Sequence, residues 1–296
     1  MKIIITGSLG HISKPLTEEL IKKGHTVTVI SSKPEKKAAI QELGATAAIG
    51  SVDYADFLTA TFTGADAVYC MIPPGNFFDP NFDILSECLK LANNYKQAIL
   101  KAGVKRVVHL SSVGAHKDEG VGMLRFHHLV ENILRELPQE VAITHLRPVG
   151  FYYNLLSFIH AIKAQNAIIT NYGGIKEPWV SPVDIAAVVA EEIVKPFEGR
   201  AIRYVASDEL TCDKVADILG AAIGKPDLKW IAIPDDELLN GLLAAGMNPA
   251  IANGYVEMNI SRRNGILYDD YYSNQPILGK IKLTEFAKEF AAVYNQ

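Results

Sequence analysis

The sequence predicts an α/β protein: a Rossmann-type doubly wound parallel sheet with a smaller, mostly helical C-terminal lobe. Three features predict it. Short apolar runs alternate with amphipathic segments through residues 1–147. A turn carrying two glycines separates the first run from the first helix, and the alternation falls away after Pro148. Continuous apolar runs suit strands buried on both faces, and strand–helix alternation suits parallel strands joined by right-handed crossovers.

The first run, Ile3-Ile4-Ile5, is too short for a globular helix and is β-branched throughout. Thr6-Gly7-Ser8-Leu9-Gly10 breaks it, and a helix follows with Ile12, Leu16 and Leu20 on one face and Gly24 as its stop. His25–Ile30 reads as a second strand, and Pro34-Glu35 opens a helix to about Leu43. A third strand is expected at Ala45–Ile49, a helix capped by Asp53 through Phe62, and a fourth strand at Ala67–Ile72, ended by Pro73-Pro74-Gly75. A long helix, Phe82–Ala102, closes at Gly103; with its neighbour it is a candidate homodimer face. Strand five is Arg106–Leu110, a helix spans about Leu124–Leu137, and strand six is Val141–Leu146. Beyond Pro148, helices at 182–194 and 211–223 and strands near 201–205 and 229–233 are expected. A helical tail follows at Asp235–Ala245, Pro249–Arg262 and Thr284–Tyr294. The division is a nucleotide-binding domain over 1–150 and a substrate lobe over 151–296, interleaved with the sheet edge.

Strand, glycine turn and helix together make an anion site. Backbone N–H groups and the positive end of the helix dipole converge there, and a Cβ at Gly7 or Gly10 would block close approach. The spacing Gly7, Gly10, Ser13 is G-x-x-G-x-x-S rather than G-x-G-x-x-G, and glycines also serve plain turns. For the nucleotide, an NAD site wants an acid at the end of strand two. Here that strand ends Ile30-Ser31-Ser32-Lys33, with Lys36 and Lys37 beyond. Hydroxyls and an ammonium suit a 2′-phosphate, so NADP(H) is preferred to NAD(H).

The bulk properties narrow the function. A net charge of −4 without blocks of like charge gives no nucleic-acid footprint, and no apolar run approaches a membrane span. Met1 leads directly into the first strand, leaving no room for a signal peptide, so a cytoplasmic location is expected. Cys70, Cys88 and Cys212 are widely spaced and read as small buried residues, not metal ligands or a disulfide framework.

A set of motifs in order carries a resemblance: TGSLGHIS at 6–13, KAGVKRVVHLSS at 101–112, Glu131-x-x-Leu134, ITHLRPVGFYYNLL at 143–156, WVSPVDIAAVVAEEI at 179–193, AAGMNPAIANGYVEM at 244–258 and LTEFAKEF at 283–290. With them the chain resembles the NmrA-like branch of the atypical short-chain dehydrogenase/reductase superfamily, which mixes NADPH-dependent reductases with cofactor-sensing regulators. The resemblance implies a pyrophosphate loop of Gly7, Ser8, Gly10, His11 and Ile12. It places Ser31, Ser32 and Lys33 at the adenosine 2′ position, and Ser51 and Val52 at the adenine edge. Met71, Ile72 and Pro73 would lie along the middle of the cofactor, and Pro148, Val149 and Phe151 over the nicotinamide. Ordinary superfamily members use a Y-x-x-x-K pair; that register falls here on Leu124 and His128, so the tyrosine is absent.

Several side chains keep two readings. His128 is a contact to the nicotinamide ribose or a proton donor, or else a surface histidine paired with Glu131 or His127. Ser112 holds a substrate oxygen or caps a turn. His109 reads as a core histidine and Asp184 as a helix-start residue. Phe77-Phe78, Phe151-Tyr152-Tyr153 and Trp179 form an apolar wall for a flat substrate, or pack the lobe onto the sheet; Asn154 bonds a substrate carbonyl or its own loop. The sequence points first to a reductase passing hydride from NADPH to a small, flat acceptor such as a quinone or enone, which water can protonate. A non-catalytic NADP(H) sensor is the alternative, favoured by the L-x-x-x-H motif. A nucleotide-sugar epimerase ranks last, because its alkoxide chemistry wants the tyrosine.

Overall fold

The structure, a computed structural model, describes residues 1–196 and 199–296. Its elements in chain order are β1 (Lys2–Ile5), α1 (Ser13–Lys22), β2 (Thr26–Ser31), α2 (Lys37–Glu42), β3 (Thr46–Ile49), α3 (Ala55–Phe62), β4 (Ala67–Met71), α4 (Ile84–Ala102), β5 (Arg106–Leu110), α5 (Arg125–Arg135) and β6 (Ala142–Pro148). The second half adds β7 (Gly150–Phe151), α6 (Ile159–Gln165), β8 (Ala167–Thr170), β9 (Lys176–Val180), α7 (Pro182–Glu192), β10 (Arg200–Val205), β11 (Asp208–Thr211), α8 (Cys212–Ala222) and β12 (Lys229–Ala232). It ends with α9 (Asp235–Ala244), α10 (Pro249–Arg263), α11 (Asp269–Ser273) and α12 (Leu283–Tyr294).

The central sheet has the order β10-β6-β5-β4-β1-β2-β3, every pairing parallel. Its two faces are covered by different helices. Leu16 and Leu20 of α1, Ile40 of α2 and Ile185 and Val189 of α7 pack one face; Leu58 and Phe62 of α3, with Ala92, Tyr95 and Ile99 of α4 and Val130 and Leu134 of α5, pack the other. Ile3, Ile4 and Ile5 are fully buried between them, each worth roughly 2–3 kcal/mol relative to exposure. Thus β10 and α7, from the second half of the chain, complete the sheet layer. The remaining elements build a separate core of Tyr152, Trp179, Leu219, Trp230, Phe286 and their neighbours. That core is edged by the three-stranded sheet β11-β9-β7 and the pair β12-β8.

Local differences from the sequence reading have local causes. Asp53 does not cap α3: Tyr54 holds the N-cap position without a side-chain bond, and the Asp53 carboxylate accepts from Ser51 Oγ (2.5 Å) and Lys90 Nζ (2.7 Å). The helix after Pro34 opens as a 3₁₀ turn, Pro34–Lys36, before turning α-helical. Asp83 caps α4 by accepting from the N–H groups of Leu85 and Ser86, so that helix begins at Ile84 rather than Phe82. Ser181 caps α7, while Asp184, in its first turn, accepts from Ser207 Oγ (2.6 Å) and from the N–H groups of Lys280 and Ile281, tying the tail to the sheet. The short strands β7, β8, β9 and β11 and helices α6 and α11 were not expected. β9 carries Pro178, which argues against a strand in sequence, and β7 is two residues long.

Candidate functional site

The strand order reverses between β1 and β4, and a cavity of about 960 Å³ opens there, outside the C-terminal strand ends. Its walls come from the loops after β1 through β6, from α4 and the start of α5, and from Met258, Arg262, Leu267 and Tyr268 in the second half.

The glycine loop forms the floor. Gly7 has φ +90°, and a Cβ on it would stand 2.6 Å from Ser13 Oγ and 3.3 Å from Met71 Cγ, so conformation and space both require glycine. Ser13, in the third motif position, donates its hydroxyl to the Thr6 carbonyl (2.8 Å), binding α1 to the end of β1 where a third glycine would have allowed close packing instead. Ser8 sits at φ +56°, with its N–H on the Ile30 carbonyl and its hydroxyl on Ser31 Oγ (2.8 Å). The N–H groups of His11, Ile12 and Ser13 make no hydrogen bond within the described chain. Unsatisfied donors at a helix start beside a cradle that admits no side chain fit a diphosphate.

Along the cavity, Ser31, Ser32, Ser51 and Val52 line one end and Met71, Ile72 and Pro73 the middle. Tyr95 Oη donates to the Met71 carbonyl (2.8 Å), and Met71 N–H donates to Thr6 Oγ1 (3.0 Å), which fixes that strand end. Lys33 is exposed and off the wall; its N–H bonds Ser31 Oγ. At the opposite end, beyond β6, stand Val149, Phe151, Tyr153 and Asn154; Phe77, from the loop after β4, also lines the cavity. Tyr153 packs against Phe151 (centroids 5.0 Å apart) and stacks on His11 of the glycine loop (4.6 Å, 16°), so the two halves of the chain meet over the floor. Pro148 is buried off the wall, its carbonyl accepting from Val113 N–H.

Part of the expected aromatic wall lies elsewhere. Trp179 is sealed in the lobe core, and Tyr152 stacks on Phe286 there with its hydroxyl on Asp208; Phe78 points to solvent. Trp179 and Tyr152 are drawn away by the packing of the lobe core. Of the two catalytic candidates, Ser112 lines the cavity and His128 does not. His128 Nδ1 donates to the Ala115 carbonyl (3.0 Å) and Nε2 accepts from Asn132 Nδ2 (2.9 Å), a pairing different from the Glu131 or His127 contact considered for it. Its neighbour His127 is on the wall, as is Leu124 where the superfamily tyrosine would stand. Wall residues that the sequence reading did not place at the site include Tyr69, His127, Arg262 and Tyr268. The Tyr69 hydroxyl is buried without a partner, and His127 is pushed down to about 3 by burial and by His109.

Behind Ser112 lies a buried polar network. Glu131 accepts from Ser111 Oγ (2.6 Å), from Arg147 Nε (2.9 Å) and Nη2 (2.8 Å), and from Arg135 Nη2 (2.5 Å). Burial opposes its charge, but the hydrogen bonds and charge of Arg147, with the hydrogen bond from Ser111, hold its carboxyl at about 2. Beside it His109 Nδ1 and His145 Nδ1 lie 3.0 Å apart, one donating to the other, and both Nε2 atoms are unpartnered. Burial pushes His109 down to about 4, and burial together with His109 pushes His145 down to about 3. An unfolded histidine titrates near 6.5, so between those values the unfolded chain takes up protons and the folded chain does not. Stability is therefore complete above pH 6.5 and falls as the pH drops, by about 2 kcal/mol per histidine at pH 5. Glu131 acts only in a lower window, beneath the usual carboxylate range. Thermal melts are expected to be flat from pH 8 to 7 and to fall between 6.5 and 4.5; the double variant His109→Asn, His145→Asn should lose about two-thirds of that slope, the rest coming from His127, which burial also keeps neutral.

Among the described residues no helix is long and apolar enough to cross a membrane, and no group of His, Cys, Asp and Glu is arranged to hold a metal ion. A model of the NmrA-like family matches residues 1–265. An NAD(P)H azoreductase of Xenophilus azovorans is 25% identical over 296 residues, 99% of each chain. A (4-alkanoyl-5-oxo-2,5-dihydrofuran-3-yl)methyl phosphate reductase of Streptomyces griseus subsp. griseus is 23% identical over 265 residues, 89% of this chain and 88% of that one. An NADPH-dependent quinone oxidoreductase from Escherichia coli, solved with NADPH, shares the fold at a TM-score of 0.79 and 20% identity, covering 97% of this chain and 99% of that one.

Proposed function

The chain belongs to the NmrA-like family, and from that premise we propose that it is an NADPH-dependent reductase of a small, flat, electron-poor acceptor such as a quinone or enone. The observation that carries this reading is the continuity of one cavity from the free N–H groups of His11 and Ile12 to the rings of Phe77, Phe151 and Tyr153. NADPH, when bound, supplies a hydride; the protein supplies orientation and a dry, shaped site. The amides of the glycine loop take the diphosphate. Ser31 and Ser32, with Lys33 at the rim, take the 2′-phosphate, and no carboxylate at the end of β2 repels it. Residues 1–150 then serve chiefly as the nucleotide-binding part and 151–296 as the acceptor lobe. Leu124 has no proton to give, so the acceptor must be one that water protonates after reduction. Relatives named for azo, quinone and conjugated-lactone reduction support that choice.

The test is a fluorescence titration with NADPH and NADH, followed by NADPH oxidation assays across quinones and enones. At least about tenfold tighter NADPH binding and acceptor-dependent oxidation are expected. Binding without turnover at high enzyme concentration would favour the sensor, whose partner affinity should then change with the cofactor; absence of binding would defeat both readings.

A further inference from the structure

We propose that Arg262 takes up the negative charge that develops on the acceptor's oxygen, which makes conjugated carbonyl compounds the acceptor class; this rests on the reductase reading above. Arg262 lies in the last turn of α10 and reaches the cavity wall beside Met258 and Tyr268. It comes close to the start of β7: a Cβ on Gly150 would stand 3.2 Å from Nη2, a tight contact that the glycine avoids. Gly150 lies between Val149 and Phe151, which line the same end of the cavity.

The guanidinium is held rigidly. Nε and Nη2 donate to the two carboxylate oxygens of Glu177 (3.0 and 3.1 Å), a residue with no exposed surface. Its face lies 4.4 Å from the Tyr172 ring centroid and 5.6 Å from that of Trp179. These contacts fix the fork but leave one nitrogen unspent. Nη1 has no hydrogen-bond partner among the described residues beyond what the neighbouring Tyr268 hydroxyl offers the guanidinium, and the side chain keeps 11% of its surface exposed. A purely structural ion pair gives no reason for the arginine to stand on a cavity wall with donors to spare.

Glu177 also sets what the donor selects. With its charge already balanced, Arg262 has little pull on an anion in the ground state and admits a neutral acceptor. Its donors gain strength only as charge appears on the oxygen, which is the differential binding that accelerates a reaction. In the step itself, hydride leaves the nicotinamide ring, whose C–H bond breaks as NADPH is oxidised to NADP+, and forms a new C–H bond at the β-carbon of an enone or a ring carbon of a quinone. The displaced π-electrons move to the carbonyl oxygen, which bonds Nη1 and then takes a proton from water, releasing hydroxide to solvent. The tyrosine missing at Leu124 is thereby replaced by a donor that stabilises the oxyanion without protonating it.

The experiment uses the NADPH-saturated protein with 1,4-benzoquinone and 2-cyclohexenone as probes. Arg262→Gln is expected to lower kcat about 10²-fold with the Kd for NADPH changed less than twofold. The loss should be larger for cyclohexenone, whose enolate oxygen is the more basic and leans harder on the donor. Arg262→Gln with Glu177→Gln removes both charges; it guards against a fold disturbed by a stranded carboxylate and should show the same acceptor-dependent loss. A folded variant keeping kcat within twofold for both acceptors overturns the assignment, as does an equal loss on both accompanied by weakened NADPH binding. A wild-type protein that binds NADPH but reduces neither probe overturns it together with the reductase reading. Wild-type turnover that survives Arg262→Gln overturns this proposal alone.

Discussion

Gly7→Ala is expected to raise the Kd for NADPH at least about 100-fold while leaving a folded protein. Two costs meet at this position. The backbone is left-handed, which costs an alanine about 1 kcal/mol, and the new Cβ would sit 2.6 Å from Ser13 Oγ and 3.3 Å from the Met71 side chain. The loop can relieve that contact only by shifting Ser13 off the Thr6 carbonyl or moving the loop outward, and either shift re-aims the free N–H groups of His11 and Ile12. Gly24→Ala provides the control. Gly24 has φ +81° with nothing within 4 Å of the built Cβ, so it bears the same conformational cost without the collision. It should lose about 1 kcal/mol and bind NADPH as the wild type does. A Gly7→Ala protein that binds NADPH within threefold of wild type would remove the loop from the cofactor site.

The sheet was legible because its first six strands are short, largely apolar runs bracketed by turn residues, a pattern that burial on both faces imposes on all but the edge strand β3. Arg106–Leu110 is recovered residue for residue. The same logic brings the glycine loop, Ser31, Ser51 and Met71 onto one wall: all lie at C-terminal strand ends, and topology alone gathers those ends. Where strand order does not determine position, sequence reading weakened. Arg262 closes a helix, where a basic residue ordinarily complements the dipole, and nothing local says that β9 will present Glu177 to it. His127 and His128 differ by one helical step of 100°, which puts one on the cavity wall and the other on Ala115 and Asn132. Trp179 stands in a strand interrupted by Pro178, so neither its pairing nor its burial was visible.

Glu131→Ala is expected to destabilise the protein by about 3–5 kcal/mol, read as a lowered urea midpoint at unchanged m-value. The carboxylate has no exposed surface and answers the Arg147 guanidinium with both oxygens, while Arg147 itself is 2% exposed. Truncation removes few apolar contacts; the cost comes from stranding that cation in the interior with Ser111 unpaired beside it. Asp270 accepts from Arg147 Nη1 (3.1 Å) and from the Tyr204 hydroxyl, but its side chain is one-third exposed, so it cannot replace a sealed partner. Removing the cation as well should repair most of the damage. Glu131→Leu combined with Arg147→Met substitutes apolar volume for the pair and is expected to return within about 2 kcal/mol of wild type. A second consequence reaches the site, because Arg147 ties β6 through Asp270 to α11, next to the wall residues Leu267 and Tyr268. The repaired variant should therefore fold yet hold that wall less firmly, raising KM for the acceptor more than the Kd for NADPH. If Glu131→Ala alone costs less than about 1 kcal/mol, the charge on Arg147 is being met by water, and the network is not sealed.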